Sequence, residues 1–258
     1  MPPDTKSLSR KALGTRHQPQ ASREAILRAA AAEFAAEGRA GARMQAIARA
    51  ARVNKALLYY YFEDKDALYG AVLDQYLQPL FQQLTAVLDG PASPGDRILS
   101  YARVHFNAIA ESPQYARLFQ GEMMSAGRGM SAHLSRIVED FSRPLSLRLV
   151  ATLNEGIRCG AFRGIDPAQF IPSMLGTIVF YFAAAPVMHR LRGEDPLSSA
   201  AIAARRAAVL DQIAAALFAD RETGLRLAVR ISAPNRSTAS SLLPSATRPH
   251  RIAARRRK

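Results

Sequence analysis

The sequence predicts an all-α protein, and three observations support that fold class. Alanine and leucine are abundant along the 258 residues, prolines recur at intervals, and long stretches of alternating apolar and polar residues are absent. Alternation of that kind is typical of half-buried strands, whereas helices show apolar residues three and four positions apart. With 48% hydrophobic and 22% charged residues, the chain can bury a sizeable core in one or two domains.

The first predicted helix begins at Ser22, whose hydroxyl can cap the N-terminus, and Glu24 lies in its first turn. Its predicted apolar face consists of Ile26, Leu27, Ala30 and Phe34. We expect this helix to end at Gly38, because glycine tolerates the left-handed conformation that closes many helices.

Three further helices follow within the first third of the chain. The second is predicted to begin near Met44 and the third after Val53-Asn54. The fourth begins at Asp64, which can cap it. Pro79 should kink or end this fourth helix, because proline lacks an N–H and clashes with the preceding turn.

After a turn at residues 89–91, the predicted helices become longer. Most of their starts combine a capping serine or aspartate with a proline, which the first helical position tolerates. The predicted starts are Pro94, Ser112-Pro113, Gly129, Asp166-Pro167 and Asp195-Pro196.

Most of the positive charge lies at the two ends of the chain, around two predicted domains. The net charge is +14; residues 1–20 hold four basic side chains and one acidic one, and residues 225–258 hold eight arginines, one lysine and no acid. We therefore predict a flexible basic arm at 1–20, a first domain at 21–81, a second at 82–224 and a disordered basic tail at 225–258. Such ends are either simply solvated or serve as electrostatic arms for nucleic acid.

The stretch from Met44 to Glu63 has the pattern of a helix-turn-helix, a motif that places its second helix in the major groove of DNA. Ala48 is small where the two helices would approach most closely. Apolar residues stand where the helices would face each other: Ile47, Ala51, Val53, Leu58 and Tyr61. The outer side of the second helix would carry Asn54, Lys55, Ala56, Leu57 and Tyr60.

The segment from Ala21 to Tyr76 resembles the N-terminal DNA-binding domain of the TetR (tetracycline repressor) family of transcriptional regulators. The resemblance is carried by "IARAA", "VNKALLYYYF" and "EDKDALYGAV", with their Leu-Tyr-x-x-Phe core and the lysine that opens the next helix. It implies a homodimer that binds a palindromic operator in double-stranded DNA and responds to a small molecule. Repression is the usual outcome in the family, and activation is less common.

The resemblance also implies a role for each tyrosine of "YYY" and for the lysine after it. Tyr61 should pack inside the small domain, whereas Tyr59 should direct its hydroxyl to a phosphate. Tyr60 has no apolar partner in the pattern, so we expect it to contact a phosphate or a base edge. Lys65 resembles the family lysine that meets a phosphate. A lysine at a helix N-terminus opposes the helix dipole, and an anion would explain its presence.

Two positions depart from the family pattern. Arg52 stands where the family usually has a glycine in the turn, and Arg43 replaces the usual threonine or serine before the second helix.

Leu57 suggests an apolar contact, for example with a thymine methyl group. The complete predicted DNA-binding set is Arg43, Gln45, Arg52, Asn54, Lys55, Ala56, Leu57, Tyr59, Tyr60 and Lys65.

The rest of the chain resembles the family's ligand-binding and dimerisation domain, through "SPQYARLFQGEM" and "GAFRGIDPAQF". We predict an apolar pocket for a hydrophobic or aromatic effector, although ordinary core packing would explain the same residues. The predicted pocket residues are Tyr101, His105, Phe119, Met123, Met174, Thr177 and Tyr181. The predicted dimer interface consists of Ile178, Phe182, Ile202, Val209, Ile213 and Leu217.

Three other classes of protein are less compatible with the sequence. An enzyme or metalloprotein is disfavoured, because no two of the five histidines have a metal-ligand spacing, Cys159 is the single cysteine and no Gly-rich phosphate loop is present. We therefore expect no catalytic residues, cofactor or metal, and a cytoplasmic location. The uncharged stretch from Phe170 to Met188 is long enough to cross a bilayer, but we expect a helix buried both against its own domain and against a dimer partner. A constitutive architectural DNA-binding protein without an effector remains an alternative.

Overall fold

A computed structural model describes residues 19–125 and 130–233 of the chain. The all-α prediction is confirmed, because in these residues the only β feature is an isolated bridge between Phe162 and Phe218. The helices are α1 (Pro19–Gly41), α2 (Met44–Ala50), α3 (Lys55–Tyr61), α4 (Lys65–Leu88), α5 (Pro94–Glu111), α6 (Pro113–Ser125), α7 (Ala132–Ile137), α8 (Arg143–Arg158), α9 (Pro167–Arg192), α10 (Ser199–Leu217) and α11 (Arg221–Ser232), and a π-helical turn (Val138–Ser142) joins α7 to α8.

Helix α1 packs with α2, α3 and the first half of α4 around one core. The predicted cap at Ser22 is wrong: this residue lies inside α1 and is buried. The break expected at Gly38 is present, with φ 68° and ψ 171°, but helical structure resumes as far as Gly41. Only glycine adopts that backbone conformation readily, so Gly38 sets the bend between the two parts of α1.

Of the two outcomes predicted for Pro79, the end of the helix is wrong, because α4 continues through Pro79 to Leu88. A proline inside a helix costs about 3 kcal/mol. The buried side chains on both sides of it, among them Leu77, Leu80 and Leu84, offset that cost by packing into the core. The predicted domain boundary at residues 81/82 therefore falls within a helix that belongs to both domains.

Helix α5 lies at the centre of the second domain and packs against α4, α8, α9, α10 and α11. Its side chains Ile98, Leu99 and Phe106 are fully buried. The predicted start at Pro94 is correct, and Ser93 caps the helix by accepting a hydrogen bond from the Asp96 N–H. Asp166 caps α9 as predicted, whereas α10 begins at Ser199 with Ser198 as its cap, after a turn that contains Asp195-Pro196.

The described part of the predicted basic tail is helical, because α11 covers residues 221–232 and packs on α5 and α10. Gly95 and Gly224 allow this packing: a methyl group at position 95 would lie 2.6 Å from the Phe218 ring, and one at position 224 would lie 2.8 Å from it. Arg230 of α11 also forms an ion pair with Asp96 of α5. The prediction of disorder from residue 225 was therefore wrong up to 232, and residues 1–18 and 234–258 lie outside the described part of the chain.

Helix α9 is the one helix among the described residues that is long and apolar enough to cross a membrane by length and composition. One of its faces packs into the domain through Ile171, Met174 and Ile178. The opposite face is exposed and carries Phe180, Val187 and Leu191. The buried helix expected from the sequence is therefore buried on only one side within a single chain.

Candidate functional site

Helix α3 is held by the contacts that the helix-turn-helix pattern predicts. Leu58 of α3 and Ile47 of α2 are fully buried, and Ala48 of α2 is also buried. Val53 and Tyr61 are partly buried against the same core. The short helix therefore has a fixed orientation, set by its apolar side.

The opposite side of α3 faces solvent. Tyr60 is 80% exposed and Tyr59 is 42% exposed, while Lys55 and Ala56 are also exposed. The Lys55 ammonium lies 5.6 Å from the centre of the Tyr59 ring, a distance that allows a cation–π contact. This surface combines one positive charge with two phenol hydroxyls, groups that bind phosphate oxygens and base edges. Leu57 is only partly exposed, so less of it reaches solvent than the sequence suggested.

Two predicted DNA-binding residues also have structural roles. The Asn54 side-chain oxygen accepts a hydrogen bond from the Leu57 N–H at 2.7 Å and caps α3. Lys65 donates from Nζ to the carbonyls of Ala40 at 3.0 Å and Ala42 at 3.3 Å. These carbonyls at the end of α1 give a reason for a lysine at the start of α4 that does not need an anion. An ammonium has three donors, so the predicted phosphate contact of Lys65 stays a prediction.

The turn between α2 and α3 contains a strained residue. Arg52 has φ 57°, and it is the sole non-glycine residue with positive φ in the part of the chain that the structure describes. The turn is held by hydrogen bonds from the N–H of Arg52 to the Arg49 carbonyl and from the N–H of Val53 to the Ala48 carbonyl. The arginine side chain is exposed beside α3.

The start of α2 shows how the lost hydroxyl cap is replaced. Arg43 occupies the cap position, and its side chain makes no capping hydrogen bond. Its N–H instead donates to a carboxylate oxygen of Glu33 on α1, at 3.1 Å. The side chains of Arg43 and Gln45 remain exposed.

The sequence analysis did not include Arg23 among the basic residues close to α3. Its guanidinium lies 5.5 Å from the centre of the Phe62 ring, next to the end of α3. The signal was the basic residue in the first turns of α1, but its position beside α3 depends on the fold.

The first domain is hydrogen-bonded to α6 of the second domain. The Tyr69 hydroxyl of α4 donates to the Glu122 carboxylate at 2.8 Å, and the Ser131 hydroxyl donates to its other oxygen at 2.5 Å. Glu122 is only 4% exposed. Burial and the bond to Glu122 raise the pKa of Tyr69, so the phenol keeps its proton. Asp66 forms an ion pair with Arg39 at 2.7 Å, and its other carboxylate oxygen lies 3.0 Å from Nε2 of His133 in α7.

The second domain contains a cavity of about 480 Å³ between α4, α5, α6, α8 and α9. Its lining is mostly apolar and includes Leu80, Phe81, Leu84, Leu145, Leu149 and Ile171. Tyr101, His105 and Met123 line it, as the sequence analysis proposed.

The other predicted pocket residues lie elsewhere. Met174 is buried in the core, the Thr177 hydroxyl donates to the Ser173 carbonyl, and the Tyr181 hydroxyl donates to the Pro196 carbonyl at 2.6 Å. Helix α9 lines the cavity with other positions, Leu175 and Val179 among them. The Phe119 side chain is outside the described part of the structure.

His105 is the titratable group of the cavity. Burial lowers its pKa to about 4, so the imidazole is neutral near pH 7. Its Nδ1 has no hydrogen-bond partner among the described residues. A buried polar atom without a partner is costly, and a bound molecule with a polar group can satisfy it.

The predicted dimer interface requires correction. Ile178, Val209, Ile213 and Leu217 are buried in the core of their own chain. Phe182 and Ile202 are partly buried against that core. The exposed apolar face of α9 is instead Gly176, Phe180, Ala183, Val187 and Leu191, and beside it α10 exposes Ala203, Ala204, Ala207 and Ala208.

No group of three or more potential metal-ligating side chains lies together in residues 19–125 and 130–233.

Comparison with known proteins identifies the family of both domains. Residues 26–72 match the model for bacterial regulatory proteins of the tetR family, and residues 94–213 match the tetracyclin repressor-like C-terminal domain. The HTH-type transcriptional repressor SCO4008 of Streptomyces coelicolor is 31% identical over 173 residues, which are 67% of this chain and 84% of the relative. The chain belongs to the TetR family.

Other TetR-family regulators have a similar sequence or fold. The HTH-type transcriptional regulator RutR of Escherichia coli K12 is 31% identical over 173 residues, 67% of this chain and 79% of RutR. The structure of the ketosteroid transcriptional regulator KstR2 of Mycobacterium tuberculosis superimposes with a TM-score of 0.56 and 26% identity, over 62% of this chain and 81% of KstR2. The chain is therefore a DNA-binding transcriptional regulator, and the family and these relatives are regulators rather than enzymes.

Proposed function

We propose that this TetR-family protein is a ligand-responsive repressor that binds a palindromic operator as a homodimer. The observation that carries the proposal is the exposed surface of α3, formed by Lys55, Ala56, Tyr59 and Tyr60, on a helix fixed by buried side chains on its other side. Relatives such as SCO4008 bear the name of transcriptional repressor.

The α3 surface suits a position in the major groove of DNA. Lys55, Ala56 and Tyr60 would face the base edges, with the exposed part of Leu57 against a thymine methyl group. Arg43, Gln45, Arg52 and Tyr59 flank this surface, and their donors would hold phosphates. Asn54 would contribute through its amide NH₂, since its oxygen caps α3.

Dimerisation would bring together the exposed faces of α9 and α10. Phe180 is 68% exposed and Leu191 is 79% exposed, on a face that also carries Val187 and several small residues. Small residues let two helices approach closely, and a four-helix bundle would cover both faces. The partner subunit, rather than a membrane, would then account for the apolar outer side of α9. Two α3 helices could occupy successive major grooves, about 34–36 Å apart.

The apolar cavity would take a hydrophobic or aromatic effector, with His105 as a polar contact inside it. Met123 of α6 lines the cavity, and Glu122 of the same helix accepts the hydrogen bond from Tyr69 in α4. An effector that prefers one position of α6 would therefore favour one orientation of the first domain. It can shift the equilibrium only by its difference in affinity for the two states.

The decisive experiment starts with selection of bound fragments from random DNA by the full chain. Binding to the selected duplex is then measured by fluorescence anisotropy for the wild type and for Lys55→Ala and Tyr60→Ala. We expect each variant to bind at least tenfold more weakly, because each contact with DNA contributes about 1–3 kcal/mol. The control is Arg158→Ala, which removes an exposed charge from α8 in the second domain. Unchanged affinity for both α3 variants, or selection of sequences without two-fold symmetry, would contradict the proposal.

A further inference from the structure

Two arginines on neighbouring helices of the second domain lack an acidic partner. Arg103 of α5 makes no hydrogen bond or ion pair with any described residue. Arg206 of α10 donates from Nη1 to the side-chain oxygen of Asn107, at 3.2 Å, and forms no ion pair within the described ranges. The Nε–H group of each arginine is buried and has no acceptor.

Arg103 lies one helical turn before Asn107 on α5, the residue to which Arg206 donates, and the two positive charges repel each other. Partial burial and the positive charge of Arg206 both lower the pKa of Arg103. Arg97 and Arg205 in this domain also have a buried Nε–H without an acceptor, but other atoms of their guanidinium groups are paired: Arg97 pairs with Glu155, and Arg205 donates to the Thr177 carbonyl at 3.1 Å. Buried N–H donors are normally paired, and charged groups removed from water are normally compensated. The pair of Arg103 and Arg206 is therefore an uncompensated positive site between two helices.

We propose that Arg103, Asn107 and Arg206 form a binding site for an oxyanion, namely a carboxylate or a phosphate group. The planar guanidinium group suits this chemistry, because its N–H donors match the spacing of two oxygens on one anion. An oxyanion would supply acceptors for both unpaired Nε–H groups and would neutralise the repulsion between the two charges. The three residues do not line the cavity that holds His105, so this site is separate from that of the proposed effector.

A groove next to these residues indicates what the oxyanion is attached to. Ala110 lies one helical turn after Asn107 on α5, and Ile202 lies one turn before Arg206 on α10. Both residues line a groove of about 510 Å³ between α5, α6, α9 and α10. Its lining combines apolar side chains such as Phe182 and Pro186 with the polar Arg117, Gln120, His189 and Asp195. The oxyanion is thus either a free inorganic ion or the end group of an amphipathic molecule whose apolar part occupies the groove.

The test uses the full chain without DNA, at constant ionic strength, with chloride as the reference anion. Isothermal titration calorimetry and thermal melting are measured with inorganic phosphate and with decanoate, for the wild type, Arg103→Gln and Arg206→Gln. We expect at least one probe to bind the wild type and raise its Tm, and its affinity to fall at least tenfold in both variants. The control Arg221→Gln removes the same charge from an exposed position on α11 and should bind like the wild type.

The two probes distinguish the two sources of the oxyanion. Tighter binding of decanoate by tenfold or more indicates an amphipathic ligand, and equal or tighter binding of phosphate indicates a free anion. The proposal is wrong if neither probe binds the wild type, or if both variants bind the probes as the wild type does. Because each substitution relieves a like-charge repulsion, the unliganded variants should melt at or above the wild-type temperature. If a variant fails to fold, the wild-type titration still decides between binding and no binding.

Discussion

Arg52 illustrates a conflict between stability and binding at a single residue. Its positive φ costs about 1–2 kcal/mol relative to a glycine, and its exposed side chain lies beside the DNA-reading helix. We predict that Arg52→Gly raises the Tm by a few degrees and weakens operator affinity, because a phosphate contact is lost. Thermal melting and anisotropy measure the two effects. Arg49→Gly, in the last turn of α2, is the control for glycine itself, and we expect it to lower the Tm.

His105 should give the second domain a pH-dependent stability. The unfolded chain binds a proton near pH 6.5, whereas the folded chain binds one only near pH 4. The folded state is therefore favoured fully above pH 6.5 and loses stability as the pH falls toward 4, by an amount on the order of 3 kcal/mol. We predict that His105→Phe reduces the loss of unfolding free energy between pH 7 and 4, as measured by urea unfolding. An unchanged slope would show that other groups dominate.

The sequence was informative about which residues form α3 and its surface, and less informative about what each polar side chain contacts. The apolar spacing placed Leu58 and Tyr61 toward the core and Tyr60 toward solvent. The bond of Lys65 to the Ala40 carbonyl at the end of α1 joins residues 25 positions apart in the chain, which no local pattern reveals. Local spacing records which side of a helix is apolar, but not the distant partner of a charged group.

At the scale of single helices, the bond between Tyr69 and Glu122 links the helix next to the effector cavity with the first domain. We predict that Tyr69→Phe destabilises the protein by about 1–3 kcal/mol, because the buried Glu122 carboxylate loses a donor. It should also reduce the change in DNA affinity that an effector causes, while affinity without effector changes less. Denaturant unfolding and anisotropy with and without effector provide the measurements. If the effector changes the DNA affinity of Tyr69→Phe as much as that of the wild type, this hydrogen bond does not couple effector binding to DNA binding.

In helices α9 and α10, the apolar pattern used to predict the interface marks residues that are mostly buried within one chain. The pattern Ile202, Val209, Ile213 and Leu217 marks a buried face, and the structure buries most of it inside the same chain. The face left for a partner consists of alanines and scattered large residues such as Phe180, which a search for dense apolar runs overlooks. The end of α4 predicted at Pro79 was wrong because a local signal does not include tertiary packing. Buried side chains on both sides of Pro79 maintain the helix.

At the scale of the whole molecule, DNA binding should depend on the α9 and α10 face. We predict that Phe180→Asp gives a folded monomer with at least a hundredfold weaker operator binding, since a single α3 helix then acts alone. Sedimentation measures the oligomeric state, and circular dichroism verifies the helix content. Leu147→Asp on α8 alters an equally exposed apolar residue and should leave the dimer intact. A dimeric Phe180→Asp protein would place the interface elsewhere.

The continuity of α4 through Pro79 has a mechanical consequence. Its 24 residues form a rod about 36 Å long. Near one end of α4, Leu68 and Val72 pack in the core of the DNA-binding domain. Further along, Leu80, Phe81 and Leu84 line the cavity of the second domain. Because the helix is continuous between these two parts, a tilt of about 5° displaces its far end by about 3 Å. In a dimer, opposite tilts of the two α4 helices would add. A small change in the shape of the cavity would then change the separation of the two α3 helices, so that it no longer matches the spacing of successive major grooves.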